Sequence, residues 1–116
     1  MATTVFPVYG WWVALGPALR FVEDAVAGTA RACLVAKGEE GYRLLLCFVA
    51  SEEAAPAAVY DEATMTAVLW STLDELPVYL DLFRNHARLY VSVDGADPSA
   101  ARIQTTTPGD TEGVLR

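Results

Sequence analysis

The hydrophobic pattern is clearest between residues 29 and 50, where two apolar runs flank the tetrapeptide Gly38-Glu39-Glu40-Gly41. Two apolar runs around such a short polar segment are typical of a β-hairpin. A loop of Glu39 and Glu40 alone would need a positive φ at two residues that carry a Cβ. A three-residue loop from Glu39 to Gly41 instead places a glycine at the left-handed position. We therefore predict the three-residue loop.

This loop also predicts the register of the hairpin. The numbers of paired residues then sum to 80, so that Leu34 lies opposite Leu46 and Cys33 lies opposite Cys47. One face becomes wholly apolar, and the other is apolar in the middle with charged residues at its ends. A slip by one residue would mix the two faces. We expect the hairpin to lie inside a sheet, with its apolar face covered by helices.

Two other segments have the features of helices. The first is predicted from Gly16-Pro17 to about Ala27, because proline is tolerated in a first helical turn and the following glycine is a natural C-terminal stop. Its buried stripe would consist of Ala18, Leu19, Val22, Ala25 and Val26. The second is predicted from Thr72 to about His86, because Thr72-Leu73-Asp74-Glu75 has the form of a capping box. Its apolar face would consist of Leu73, Leu76, Leu80 and Phe83.

Three more segments are predicted to be strands, at residues 3–9, 64–71 and 88–94. Pro7 removes one hydrogen-bond donor, so the first of them is expected at a sheet edge or a bulge. Residues 64–71 are compatible with either a strand or a helix, and their β-branched and aromatic side chains favour the strand.

The predicted order of elements is β-α-β-β-β-α-β. It defines an α+β fold, a single domain in which a largely antiparallel sheet of about five strands carries two helices packed on one face. We place this domain at residues 1–95. Residues 96–116 form a polar C-terminal segment, for which we expect at most one short edge strand, at residues 101–107, before a flexible tail.

Composition supports an ordinary globular domain, because 53% of the 116 residues are hydrophobic. Nineteen alanines and seven arginines, with a single lysine and a single isoleucine, indicate GC-rich codons and hence a bacterial or phage source. The uncharged residues 1–19 are interrupted by prolines and glycines and lack a basic start, which argues against a signal peptide or a membrane anchor. The sequence therefore predicts a cytoplasmic protein.

The formal net charge of −7 sets the expected partners. Such a chain should repel nucleic acids and anionic membranes, so we expect a protein partner with a basic surface, no direct nucleic-acid binding and no membrane binding. The alternative is that the acidity only keeps a hydrophobic small domain in solution. Ten of the fifteen acidic residues form adjacent pairs in predicted turns, loops or helix flanks: Glu23-Asp24, Glu39-Glu40, Glu52-Glu53, Asp61-Glu62 and Asp74-Glu75.

Adjacent tryptophans are the second unusual feature. In an extended segment Trp11 and Trp12 would point to opposite faces, so that one could join the core while the other faces solvent or a partner. The alternative is that both are buried, one under each layer. The predicted partner-binding residues are Trp11, Trp12, Glu39, Glu40, Glu52, Glu53, Asp61 and Glu62.

No catalytic or cofactor motif is present. The chain has no phosphate-binding loop, dinucleotide fingerprint, nucleophile elbow or zinc-ligand spacing, and its one histidine, His86, is expected to cap a helix end. We therefore predict no catalytic residue, no cofactor and no metal. A disulfide between Cys33 and Cys47 is sterically feasible in the predicted register, but two reduced thiols packed as small apolar groups are expected.

These observations favour a small acidic, non-enzymatic interaction protein that binds and blocks a macromolecular partner with a basic surface, of the inhibitor, anti-defence or immunity type. The alternative is a small-molecule-binding protein or small enzyme of the α+β class. Its pocket would gather His86, a tyrosine and an acidic residue. The sequence leaves the oligomeric state open, a homodimer included.

Overall fold

The computed structural model describes residues 3–23, 25–86 and 88–105. Short 3₁₀ turns lie at Glu39–Gly41, Leu73–Glu75 and Pro98–Ala100. The strands and the α-helix are, in chain order, β1 (Thr3–Pro7), β2 (Gly10–Val22), β3 (Ala25–Lys37), β4 (Arg43–Val49), β5 (Val59–Asp61), β6 (Thr66–Thr72), α1 (Leu76–Asn85), β7 (Tyr90–Asp94) and β8 (Arg102–Gln104).

The strands form two sheets, and residues 8–9 connect the first strand of the smaller sheet directly to the first strand of the larger one. The larger sheet has the order β2-β3-β4-β6-β5, and the smaller has the order β1-β7-β8. All neighbouring strands are antiparallel except β4 and β6, which are parallel. After β1, the Val8 N–H donates to the Leu89 carbonyl at 2.8 Å, and the Tyr9 N–H donates to the Lys37 carbonyl at 2.7 Å. The chain thus passes from the smaller sheet directly into the larger one.

The main core lies between one face of the larger sheet, the smaller sheet and α1. Aromatic contacts tie α1 to this core: the rings of Trp11 and Phe83 are 5.5 Å apart, and those of Phe48 and Tyr79 are 5.8 Å apart. The buried residues of this cluster are Phe6, Ala32, Leu34, Ala36, Leu44, Leu46, Phe48, Ala67, Phe83, Leu89, Val91 and Val93.

The β3–β4 hairpin has the predicted register, with Leu34 opposite Leu46 and Cys33 opposite Cys47. Gly41 has the expected positive φ, of 89°. The tight turn differs in one respect, because Glu40 also has a positive φ, of 61°, and the Tyr42 N–H donates to the Glu39 carbonyl at 3.1 Å. The turn therefore contains one glutamate, Glu40, with a backbone conformation that is unfavourable for a residue with a Cβ, and the sequence had predicted none.

The helix predicted from Gly16 to Ala27 is wrong. The described residues of this range lie in β2, in β3 and, for Glu23, in the turn that follows β2. Gly16 and Pro17 occupy a bulge between Leu15 and Leu19, and a proline is tolerated there because β2 is an edge strand. The features that suggested a helix start therefore belong to a strand that bends.

The distal half of the β2–β3 hairpin folds back onto the second face of the larger sheet. We call residues 16–23 and 25–31 the arm. Its inner side buries Val22, Ala27 and Ala30 against a second cluster on the sheet, composed of Cys33, Val35, Leu45, Cys47 and Val68. A straight hairpin would instead project by about 3.3 Å per residue into solvent. The register shifts on either side of Leu19 produce the bend.

The α+β class of a single domain is confirmed, but two of its details are corrected. One sheet has five strands, yet a second sheet of three strands faces it, and the described residues contain one α-helix in place of two. The strands predicted at residues 3–9, 64–71 and 88–94 are confirmed as β1, β6 and β7. Pro7 ends β1, which is an edge strand as expected.

The predicted second helix is confirmed as α1, but its predicted capping box does not form. The Thr72 side chain makes no capping hydrogen bond to a backbone N–H of the first turn. Glu75 instead accepts a hydrogen bond from the Ser71 hydroxyl. The expected apolar face packs on the main core through Leu76, Leu80 and Phe83 of α1 and through Leu73 of the preceding 3₁₀ turn.

The C-terminal segment is described only as far as residue 105. Within it, β8 pairs with β7 and lies in the range where a short edge strand was expected. The predicted flexible tail lies outside the described residues, and the domain boundary at residue 95 stays a prediction.

Candidate functional site

Parallel pairing of β4 and β6 brings two acidic pairs together at one end of the larger sheet. Glu52-Glu53 follows β4, and Asp74-Glu75 follows β6. Because the two strands are parallel, both pairs lie at the same end of the sheet, where the C-terminal ends of β4 and β6 meet. The Ser51 hydroxyl donates to Asp74 Oδ1 at 2.9 Å, which joins the two loops. We call Glu52, Glu53, Asp74 and Glu75 the Glu52 end.

Two other acidic pairs lie at the opposite end of the same strands. Glu39-Glu40 precedes β4, and Asp61-Glu62 precedes β6. The loops meet there, because Gly41 lies against the Met65 side chain, whose Cε would be 3.0 Å from an added Cβ. We call Glu39, Glu40, Asp61 and Glu62 the Glu39 end.

The eight carboxylates of these two ends are exposed and have no cationic partner among the described residues. Both ion pairs found in that part of the chain involve Glu23, with Lys37 at 2.9 Å and Arg43 at 3.5 Å. The Thr72 and Ser51 hydroxyls lower the pKa of Asp74 below its ordinary value. The negative charge at both ends is therefore not neutralised by neighbouring side chains.

The two tryptophans point to opposite faces of β2, as their adjacency suggested. Trp11 is half-buried against Phe83 of α1. Trp12 lies on the other face, where it is 39% exposed and its Nε1 donates to Glu23 Oε2 at 3.2 Å. Trp11 therefore belongs to the core, whereas Trp12 has one side available to solvent. A role for either residue in partner binding stays a prediction.

The predicted partner-binding residues thus lie in three places. Four of them form the Glu39 end, Glu52 and Glu53 belong to the Glu52 end, and the tryptophans lie on β2. In the sequence, the pair Asp74-Glu75 is accounted for by the start of a helix and is not among the predicted partner-binding residues. Its proximity to Glu52-Glu53 depends on the parallel pairing of β4 and β6, which no local pattern indicates.

A histidine lies between two concave surfaces around α1. One cavity of about 180 Å³ is lined by Tyr9, Trp11, Phe83 and His86, together with Val8, Gly10 and Leu89. A second one, of about 330 Å³, is lined by Glu75, Val78, Tyr79, Asp81, Leu82 and His86. Burial raises the pKa of Tyr79, and the nearby Glu75 carboxylate adds to this effect.

The two cysteines are reduced and buried, with their Sγ atoms 3.6 Å apart. The hydrogen bond to Cys33 and burial in the second cluster raise the pKa of Cys47 far above its ordinary value. Within residues 3–23, 25–86 and 88–105, no group of histidine, cysteine and acidic side chains has the arrangement of a metal site. None of the helical segments in those ranges has the length and apolar character needed to cross a membrane.

Comparisons with protein-family models, with curated proteins and with solved structures found no match. A function can therefore be inferred only from the surfaces of the molecule itself.

Proposed function

We propose that the protein is a small acidic interaction protein that binds and blocks a macromolecular partner with a basic surface. The observation that carries this proposal is the gathering of four exposed acidic pairs at two ends of one sheet, through the parallel pairing of β4 and β6. Neither end has a lysine or arginine partner within the described residues. Uncompensated charge of one sign accelerates association with a partner of opposite sign.

The spacing of the two ends indicates the size of the surface that they would engage. β4 and β6 have seven residues each. At about 3.3 Å per residue, the ends are separated by roughly 20–25 Å. Phosphates on one strand of double-stranded DNA rise by about 3.4 Å each along the helix axis, so the separation corresponds to the axial rise of about seven phosphates. A basic groove that normally holds a polyanion fits this spacing, and occupying it would block the partner.

The partner can be identified by affinity capture with the protein as bait. Two charge-reversal variants are used beside the wild type, and each is the control for the other. Glu39→Lys/Glu40→Lys and Glu52→Lys/Glu53→Lys change the net charge equally but lie at opposite ends of the sheet. Captured proteins should be identified by mass spectrometry, and the dissociation constant of the purified partner should be measured against salt concentration. We expect a basic protein whose affinity falls in at least one variant and weakens as salt rises.

Unequal losses in the two variants would assign the contact to one end, because their net charges are the same. Retention of the same proteins by the wild type and both variants would contradict the proposal. Circular dichroism should show that both variants keep the fold, since all four positions are exposed.

A second candidate function is small-molecule binding beside α1. His86 lines both cavities there, and the lining includes Tyr9, Tyr79 and two acidic residues, which is the combination expected of such a site. The larger cavity, of about 330 Å³, lies at the lower limit of ligand pockets, which typically span about 300–1,000 Å³. A ligand of one or two rings would fit this volume.

Thermal unfolding in the presence of a fragment library tests this second function. A ligand of this site should raise the midpoint temperature of unfolding of the wild type, and this shift should be lost in His86→Ala. Val59→Ala is the control, because Val59 is an exposed residue on β5, and this variant should keep the shift. Equal shifts in both variants would assign binding elsewhere.

A further inference from the structure

The two cysteines of the chain face each other across the β3–β4 hairpin. Cys33 and Cys47 are cross-strand partners, both side chains are fully buried, and their Sγ atoms are 3.6 Å apart. The chain has no third cysteine, so each thiol can pair within the chain only with the other. A disulfide has an S–S length of about 2.05 Å, and the two sulfur atoms are therefore about 1.5 Å short of bonding distance.

The backbone hydrogen bonds place this pair at the closer of the two kinds of cross-strand position. At the turn, the Gly38 N–H donates to the Tyr42 carbonyl at 2.9 Å, so these two residues form a hydrogen-bonded pair. Hydrogen-bonded and non-hydrogen-bonded pairs alternate along an antiparallel ladder. Cys33 lies five residues before Gly38, and the register between them has no shift. Cys33 and Cys47 therefore form a non-hydrogen-bonded pair.

A second hydrogen bond leads to the same assignment. The Lys37 carbonyl accepts from the Tyr9 N–H, so it points towards the β2 side of β3 and away from β4. Backbone groups of alternate residues in a strand point the same way, and those of Cys33 therefore also point towards β2. Non-hydrogen-bonded partners have a Cα spacing of about 4.5 Å, which lies within the range of about 4.4–6.8 Å found for disulfides. The hairpin thus has the backbone spacing that a disulfide needs.

The arm covers this pair and limits access to it. Its buried residues Val22, Ala27 and Ala30 pack on the cluster that contains both cysteines. The contact with Cys33 and burial raise the pKa of Cys47, so the thiolate, which is the reactive form, is rare while the arm is closed. Opening of the arm would bring water and small solutes to both sulfur atoms and would restore their ordinary reactivity.

We propose that Cys33 and Cys47 are a reversible redox pair, which hydrogen peroxide closes to a cross-strand disulfide when the arm opens. The thiolate of one cysteine attacks a peroxide oxygen, the O–O bond breaks, and the released hydroxide takes up the thiol proton to give water. The sulfur is then a sulfenic acid. The second thiol attacks it, the S–S bond forms, and the sulfenic oxygen leaves as a second water. In total, two thiols lose two electrons and one peroxide is reduced to two waters.

The disulfide would close the β3–β4 hairpin into a covalent loop. Such a loop stabilises a fold chiefly by restricting the unfolded chain, so the oxidised protein should withstand more urea than the reduced one. A Cα spacing near the short end of the disulfide range makes the bond more easily reduced, and a dithiol reductant should therefore reopen it. No carboxylate of the Glu39 end or the Glu52 end takes part, so the pair can work whether or not the proposed function holds.

Peptide mapping after treatment with hydrogen peroxide tests the bond. Digestion without reductant should yield two peptides joined through Cys33 and Cys47, which separate on addition of dithiothreitol. The urea midpoint of the oxidised wild type should rise by roughly 0.5–1 M. Cys33→Ala is the matched control, because it keeps both methionines, which peroxide also oxidises, but cannot form the bridge. Its midpoint should not rise. Two free thiols, oxygen added to separate cysteines, or disulfide-linked dimers would overturn the proposal.

The rate of disulfide formation tests the control by the arm. Glu23→Gln removes the ion pairs with Lys37 and Arg43 that hold the tip of the arm, and it should speed oxidation by roughly twofold to fivefold. Glu39→Gln changes an exposed carboxylate without an ion pair and should leave the rate unchanged. Equal rates in the wild type and both variants would show that the arm does not limit access.

Oxidation in urea separates the geometry of the bridge from access to it. Dilute protein oxidised while unfolded and then returned to buffer should regain the circular dichroism spectrum of the reduced protein, because the hairpin already has the required Cα spacing. A bridged chain that fails to refold, or that unfolds at a lower urea concentration than the reduced protein, would overturn the proposal.

Discussion

Glu23, at the turn between β2 and β3, lies 2.9 Å from Lys37 at the far end of β3. Its carboxylate also accepts a hydrogen bond from Trp12 Nε1 and lies 3.5 Å from Arg43. The Arg43 guanidinium in turn donates to the Glu23 carbonyl. These contacts hold the tip of the arm against the sheet, and the buried side chains of the arm pack beneath them.

Replacing the carboxylate of Glu23 should loosen the arm. Glu23→Gln keeps a hydrogen-bond acceptor for Trp12 but removes both ion pairs. Because these pairs are partly exposed, we expect a loss of about 1 kcal/mol in the free energy of unfolding. Hydrogen exchange should increase within residues 16–31. Urea unfolding measures the loss, and Glu39→Gln, an exposed position without an ion pair, should have no effect. Equal stability of Glu23→Gln and the wild type would contradict a role for Glu23 in holding the arm.

The same carboxylate should make stability depend on pH. The hydrogen bond from Lys37 lowers the pKa of Glu23 in the folded protein below the ordinary 4.5. A lowered pKa stabilises the fold above the unfolded-state pKa, and this contribution is lost as the pH falls through the folded-state pKa. The wild type should thus exceed Glu23→Gln in unfolding free energy by the largest amount near neutral pH, and this difference should disappear in acid. A difference that grows on acidification would have the wrong sign.

Gly28 is required where the arm crosses Trp70. A Cβ added there would lie 2.9 Å from Trp70 Cη2, and the φ of 57° disfavours any residue other than glycine. We expect Gly28→Ala to destabilise the protein by about 1–3 kcal/mol through steric and backbone strain. Gly10→Ala is the matched control, because a Cβ there meets nothing within 4 Å. The midpoint temperatures of thermal unfolding of the two variants test this expectation. Similar midpoints would show that the arm accommodates a Cβ at residue 28 without loss of stability.

The β3–β4 hairpin could be predicted because its information is local. The Gly-Glu-Glu-Gly segment limits the turn, and only one register keeps an apolar face separate from a mixed one. Leu34 and Leu46 consequently pair as predicted. The turn type was less predictable, because the energy of packing both strands outweighs the modest strain of a positive φ at Glu40.

The arm was not predictable, because its bulges imitate helical spacing. Leu19 and Val22 both face the sheet although they are three residues apart, since the register shifts between Leu19 and Phe21. A regular strand would place such residues on opposite faces, whereas a helix places them on the same side. The sequence pattern therefore favoured a helix, and only the pairing of β2 with β3 resolves the ambiguity.

The acidic ends were predictable only in part. Local chemistry indicated that the acidic pairs would be exposed, which holds for the four pairs of the two ends but not for Glu23, which is partly buried and paired with Lys37 and Arg43. Their grouping depends on β4 and β6 lying side by side, with β5 beyond β6, and this order is a property of the whole chain. No spacing between Glu53 and Asp74 in the sequence could show that their loops meet.

Cys33 and Cys47 allow a test of burial in the second cluster. Both side chains are fully buried, and the contact between them raises the pKa of Cys47 together with burial. Because the thiolate is the reactive form, both thiols should react slowly with a disulfide reagent in the folded protein and rapidly once it unfolds. If reaction requires global opening, a stability of about 5 kcal/mol would slow labelling by roughly 10³-fold or more.

Cys33→Ala separates the two causes of this protection. The variant removes the thiol neighbour of Cys47 but leaves the surrounding Val35, Leu45 and Val68 in place. If burial under the arm dominates, the remaining thiol should still react slowly. Glu23→Gln should then accelerate its labelling by loosening the arm, and Glu39→Gln should not. Fast labelling of Cys33→Ala alone would show that the partner thiol, and not the arm, protects Cys47.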